Sequence, residues 1–172
     1  MFYKIIPQIP FLANLSDDEI QALEEVSQTC SYQPGEVILS EGAESEYFFI
    51  LLEGEVEIIK SLGTPDERYL GNSRRSVVLG EMSKFSQDGK HTASVRAQSS
   101  CRLLRVPFTW LEMVMSRHPS LVYDLMRLYT SRLDNSENQT IKDLREKNRQ
   151  LTRAYNDLKI AQAAIIEKEK ME

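Results

Sequence analysis

All seven glycines of this chain lie between Gly35 and Gly89, and its last proline is Pro119. From Ser120 to Glu172 there is neither, and Leu, Ala, Lys, Glu, Arg and Gln dominate. Glycine and proline break regular structure, whereas the second composition favours helix. The chain therefore reads as a turn-rich part of short elements followed by a long helix. We place the boundary between residues 133 and 134, giving a domain over 1–133 and a helical segment over 134–172.

The first element expected is a helix in "NLSDDEIQALEEVSQT". Ser16 and Glu19 have the three-residue spacing of a capping box. Ile20, Leu23 and Val26 fall on one apolar stripe, which core packing explains. Short segments follow at turn spacing: "EVILSEG", "YFFILLEGEVEIIK" with a turn at Glu53-Gly54, "RRSVVLGEM", "HTASVRA" and "CRLLRV". Strands this short, separated by glycine turns, predict a small barrel or jelly roll.

Bulk properties narrow the function. A net charge of −5 argues against direct nucleic-acid binding, which favours a basic face. Cys30 and Cys101 form neither a disulfide framework nor a metal-ligand spacing, and read as two buried thiols in a reducing compartment. No apolar run approaches the roughly 20 residues of a membrane span. The start "MFYKIIPQIPFL" has two prolines and no small-residue cleavage site, so a cytoplasmic location is expected. His91 and His118 are the only histidines, and no nucleophile motif accompanies them. We expect no catalytic residues, no metal site and no enzyme activity.

One stretch stands apart. "GEMSKFSQDGKHTASV", residues 80–95, has a Gly-Glu start and a hydroxyl-rich end. Together with "QPGEVILSEGAESEYFFILLEGEVEI" and "CRLLRVPFTWLEMVMSRHPSLVYDLMRLYTSRL", it resembles the cyclic-nucleotide-binding domain family. That family includes catabolite-activator-type regulators and kinase regulatory subunits. The resemblance runs from about Phe11 to Leu133. It implies a mainly β, jelly-roll-like β-roll with flanking helices, continued by a long C-terminal helix.

The resemblance also implies a ligand, cAMP or cGMP, held by a phosphate-binding cassette. Gly80 matches the cassette glycine and Glu81 the glutamate that accepts from the ribose 2′-hydroxyl. Met82 and Ser83 match a short helix whose amides face the phosphate, and Thr92 matches a hydroxyl donor. His91, eleven residues after Gly80, stands where the family has an arginine. A mostly neutral imidazole cannot make the bidentate charged contact. Three sources of substitute charge suggest themselves: Lys90 next to it, Arg74 and Arg75 upstream, or protonation of His91. Ser136 stands where family members offer a side chain to the purine.

From Ile141 a heptad can be written. Position a takes Ile141, Asn148, Tyr155 and Gln162, and position d takes Leu144, Leu151, Leu158 and Ile165. A polar Asn148 at a favours a two-stranded, in-register pair, so a parallel homodimeric coiled coil is expected. A helix from Ser120 onward would span about 80 Å. The chain ends at "AAIIEKEKME" without a cap or glycine, as expected of a helix that continues. The segment is similar to linkers that precede output domains of bacterial signalling proteins. It is most similar to those of serine phosphatases of the stress-response regulator type, with histidine kinases and diguanylate cyclases as rivals.

These features predict a regulatory sensor that binds a cyclic nucleotide, or another small ligand, and signals through a dimeric coiled coil. The alternatives are a dimerisation or docking module that binds no nucleotide, and a truncated transcription regulator.

Overall fold

A computed structural model describes residues 6–9, 12–74 and 76–169, with only the backbone of residues 136, 164, 165 and 167–169. Two compact units emerge, Met1–Leu128 and Tyr129–Glu172.

In the first unit, helix α1 (Asp17–Val26) starts at the expected capping box. The Ser16 hydroxyl accepts from Glu19 N at 3.4 Å, and the Glu19 carboxylate accepts from Ser16 N at 3.0 Å. Ile20 and Leu23 are buried, but Val26 is exposed. The helix stops at Val26, and the chain turns directly into strand β1 (Gln28–Tyr32).

The described residues then form β2 (Val37–Leu39), β3 (Tyr47–Glu53), β4 (Glu55–Lys60), β5 (Arg68–Arg74), β6 (Val77–Leu79), β7 (Ser94–Ala97) and β8 (Cys101–Pro107). A 3-10 helix, Glu81–Phe85, separates β6 from β7. Helix α2 spans Phe108–Arg117 and α3 spans Ser120–Glu169.

The strands pair in two antiparallel four-stranded sheets, ordered β1-β8-β3-β6 and β2-β7-β4-β5. This is the expected β-roll. Two of its strands, β1 and β5, were not among the expected segments. In β1, Gln28 to Tyr32 pair with Arg105 to Cys101, a long-range contact that no local pattern reveals. In β5, the polar sequence RYLGNSR is held by its register against β4.

The apolar run of β3 has a simple cause. Its side chains alternate between two cores. Phe48, Ile50 and Leu52 point to the side where α1, α2 and the start of α3 pack, with Trp110, Leu111, Leu121 and Leu125. Phe49 and Leu51 point between the sheets, with Ile38, Val56, Val95 and Leu103. Strand β8 divides the same way, sending Leu104 and Val106 to the helices and Cys101 and Leu103 inward. Phe48 stacks on Phe108 at 5.9 Å between ring centroids, which ties α2 to the roll. Of the two cysteines expected to be buried, only Cys101 is; Cys30, on the edge strand β1, is partly exposed.

Glu19 fastens α1 to the α2–α3 junction. His118 Nε2 lies 2.8 and 3.0 Å from its two oxygens. Burial alone would raise the Glu19 pKa. The hydrogen bonds from Ser16 and His118 outweigh that and hold it below the usual carboxylate value.

The β3–β4 turn crosses from one sheet to the other at Gly54, where φ is +97°. A Cβ there would lie 2.5 Å from Ser100 O and 2.7 Å from Cys101 Sγ. Backbone strain and overlap act together, so Gly54→Ala should destabilise the domain by about 2–4 kcal/mol. The urea midpoint measures this, and an unchanged midpoint would reject the tight crossing.

Candidate functional site

The site begins where β6 ends. Gly80 adopts a left-handed conformation, with φ +82° and ψ −6°, and opens the 3-10 helix without a side-chain cap. A Cβ at Gly80 would lie 2.9 Å from Leu39 Cδ1 and 3.1 Å from His91 Cε1. The left-handed conformation favours glycine at this position, and the Leu39 and His91 side chains would have to give a little for a Cβ.

The turn sends Glu81 inward, where it is 0% exposed. A carboxylate so enclosed is either a structural hydrogen-bonding group or a recognition group facing a pocket. Met82 is half-buried. Ser83 is 1% exposed and its hydroxyl donates to Gly80 O at 2.8 Å, which closes the turn on itself. On the next residue, Lys84 pairs with Glu112 of α2 and sits 5.9 Å from the centroid of the Phe108 ring. The 3-10 helix is therefore joined to the first turns of α2.

The returning limb, residues 90–94, lies along the β2–β3 loop. Lys90 bridges Glu44 in antiparallel fashion. His91 N donates to Ala43 O, and His91 O accepts from Gly42 N, both at 2.9 Å. The Ser94 hydroxyl accepts from Glu41 N at 3.0 Å. The Thr92 side chain is exposed, and its carbonyl accepts from Lys60 Nζ at 2.7 Å.

His91 packs against Gly80 and is 5% exposed. Burial disfavours its charged form and pushes its pKa below the ordinary 6.5. At neutral pH it is an uncharged imidazole. Protonation of His91 is thus a poor source of the charge the arginine would bring.

The other expected sources divide. Arg74 is 2.8 Å from Glu55 at one end of the β4–β5 pair. The Lys60 end, which reaches Thr92, is five residues away along β4, about 16 Å. Arg74 is engaged by Glu55, at the end of β4 opposite the one that reaches Thr92. Arg75 and the Ser136 side chain lie outside the described residues. Lys90 stays next to the site, with its N–H on Asp88 Oδ1 at 3.2 Å.

The cation that the fold adds is Lys60, which the sequence reading did not select. It closes a strand of alternating residues, and only the pairing of β4 with β7, Ile59 opposite Ser94, brings it to the cassette. Among the described residues no cluster of metal-ligating side chains occurs, and no helix is long and apolar enough to cross a membrane.

A family model described as cyclic nucleotide-binding domain matches residues 29–118. The cAMP-dependent protein kinase regulatory subunit of Blastocladiella emersonii is 23% identical over 106 residues, 62% of this chain and 26% of that one. The cGMP-dependent protein kinase, isozyme 1, of Drosophila melanogaster is 29% identical over 93 residues, 53% of this chain and 12% of that protein. The first curated relatives are much longer proteins, of which this chain spans 10% to 34%. Among solved structures, the fold is similar to the regulatory subunit of a cAMP-independent protein kinase A from Trypanosoma brucei, as a triple mutant bound to cAMP in the A site. The TM-score is 0.66 and the identity 23%, over 83% of this chain and 50% of that one.

A buried imidazole with a depressed pKa should reveal itself in solution. In an NMR pH titration, the His91 ring resonances should move with a midpoint below 6.5. A midpoint above that value would show that His91 carries charge near neutrality.

Proposed function

Since the chain belongs to the cyclic nucleotide-binding domain family, we propose that it is a regulatory sensor whose roll binds cAMP or cGMP weakly. The observation that carries this reading is the enclosed Glu81 behind the left-handed Gly80 turn. Such a carboxylate suits a ribose 2′-hydroxyl, which donates a hydrogen bond and brings no charge. Thr92 and the start of the 3-10 helix would face the cyclic phosphate, with Met82, Ser83, Lys90 and His91 completing the cassette.

His91 sets the expected strength. Losing a charged donor to a phosphate costs roughly 2–4 kcal/mol, about 30- to 1,000-fold in affinity. The Trypanosoma brucei protein is an instructive parallel. It is described as cAMP-independent, and one of the three substitutions in its cAMP-bound form introduces an arginine.

The signal would leave through the helices. The Lys84–Glu112 pair joins the cassette helix to α2, so a shift of the cassette would be felt at α2. That requires a ligand that binds the two arrangements unequally. On α3, Ile141, Leu144, Leu151, Tyr155 and Leu158 are each at least 45% exposed, at a and d positions of the heptad. A seam of this kind supports a parallel homodimer over residues 134–172 in which the paired helices pass the movement on. An output domain would read it. A cytoplasmic location fits this role.

The uncharged His91 favours a second reading, in which the roll binds no nucleotide and serves as a dimerisation or docking platform. Isothermal titration calorimetry with cAMP and cGMP separates the two. Weak binding that rises about 30- to 1,000-fold in His91→Arg supports the sensor. Absence of heat from both proteins at millimolar nucleotide sinks it. The dimer is tested separately by sedimentation equilibrium. The full chain should weigh twice the 19.8 kDa protomer, and a chain ending at Leu133 should be monomeric. Equal masses per protomer would reject the coiled coil.

A further inference from the structure

If the roll binds a cyclic nucleotide as proposed above, a cation must stand in for the missing arginine. We infer that Lys60 of β4 is that cation and that Glu41 governs its availability.

The geometry is specific. Lys60 Nζ donates to the carbonyl of Thr92, the residue whose hydroxyl would face the phosphate. A lysine in hydrogen-bond contact with Thr92 is one residue's reach from any anion that Thr92 binds. The lysine side chain remains 35% exposed, and its ammonium has one proton beyond those directed at Thr92 and Glu41. Lysine binds phosphate as a mobile point charge and needs no fixed fork. That suits a cation reaching in from a neighbouring strand.

Glu41 holds Lys60 in place. Its Oε1 is 2.6 Å from Lys60 Nζ, and its Oε2 accepts from Ser61 N at 2.7 Å. Arg68, opposite Lys60 in the β4–β5 register, also attracts the Glu41 carboxylate. Glu57 pairs with Arg96, and Glu67 also attracts that arginine, so the cations and carboxylates of this face balance and an anion at Thr92 must draw Lys60 away from Glu41. Glu41 is anchored by its own backbone to Ser94 as well, so it orients Lys60 and competes for it at once.

The arrangement also shows why the loss of arginine at 91 is compatible with anion binding. His91 is directed inward against Gly80, while the charge comes from outside, across the sheet. A phosphate would be met on the solvent side of the returning limb.

The test compares cAMP with adenosine, which has the same base and ribose but no phosphate. Calorimetry on the full chain measures both ligands for wild type, Lys60→Met, Lys60→Arg, Glu41→Gln and His91→Arg. Lys60→Met should weaken cAMP about tenfold and leave adenosine unchanged, the loss of one charge-assisted contact. Lys60→Arg should retain cAMP binding, and Glu41→Gln should strengthen it. A Lys60→Met protein that binds cAMP like wild type, or loses both ligands equally, overturns the assignment while leaving the sensor reading intact. So does a wild type silent towards cAMP beside a His91→Arg protein that binds it. Silence from both proteins removes the sensor reading itself, and this assignment with it. Thermal melts of each variant establish that a lost contact is not lost folding.

Discussion

Burial of β3 on both faces is the constraint from which the rest of the roll follows. An antiparallel strand commonly keeps one face wet, which gives alternating apolar and polar residues. Here Phe48, Ile50 and Leu52 serve the helical side and Phe49 and Leu51 the space between the sheets. The strand must then be covered twice, by a second sheet and by α1, α2 and the first turns of α3. Cassette and helices thus share one strand as their common wall. The stacking of Phe48 on Phe108 and the placement of Lys84 over the same Phe108 ring follow from that sharing.

The cassette divides its groups by solvent. Glu81 and His91 are inside, and Thr92 and Lys60 are at or near the surface. An enclosed group must be neutral or fully compensated, because leaving water penalises charge. Burial lowers the pKa of His91 accordingly. A charged fork at 91 would need an anion to justify its desolvation, whereas an imidazole packs against Gly80 without one. The substitution therefore makes the ligand-free site easier to build and the anion harder to hold. A cation kept partly in water, as Lys60 is, carries less of that penalty.

The fold was largely legible because its signals are local. A capping box, seven glycines confined to one region and short apolar runs are properties of neighbouring residues. β1 and β5 escaped because neither carries such a pattern. QTCSY becomes a strand by pairing with β8, seventy residues downstream, and RYLGNSR by lying against β4. The site was legible in part. The left-handed turn at Gly80 falls at the Gly-Glu start of the motif, and the fold encloses Glu81 behind it. The surroundings of His91 and the pairing of Arg74 with Glu55 were not readable, since both depend on which strand end lies beside which loop.

What the sequence alone determined is chemistry: a Gly-Glu turn, a hydroxyl at 92, no arginine at 91, and a helix-forming end with leucine every seventh residue. What only the tertiary structure decided is which charges meet. Lys60 and Thr92 are thirty-two residues apart, and nothing local relates them. Antiparallel pairing of β4 with β7 brings them within a hydrogen bond, because register is set by the cores on both sides of the sheet and by no preference of either residue.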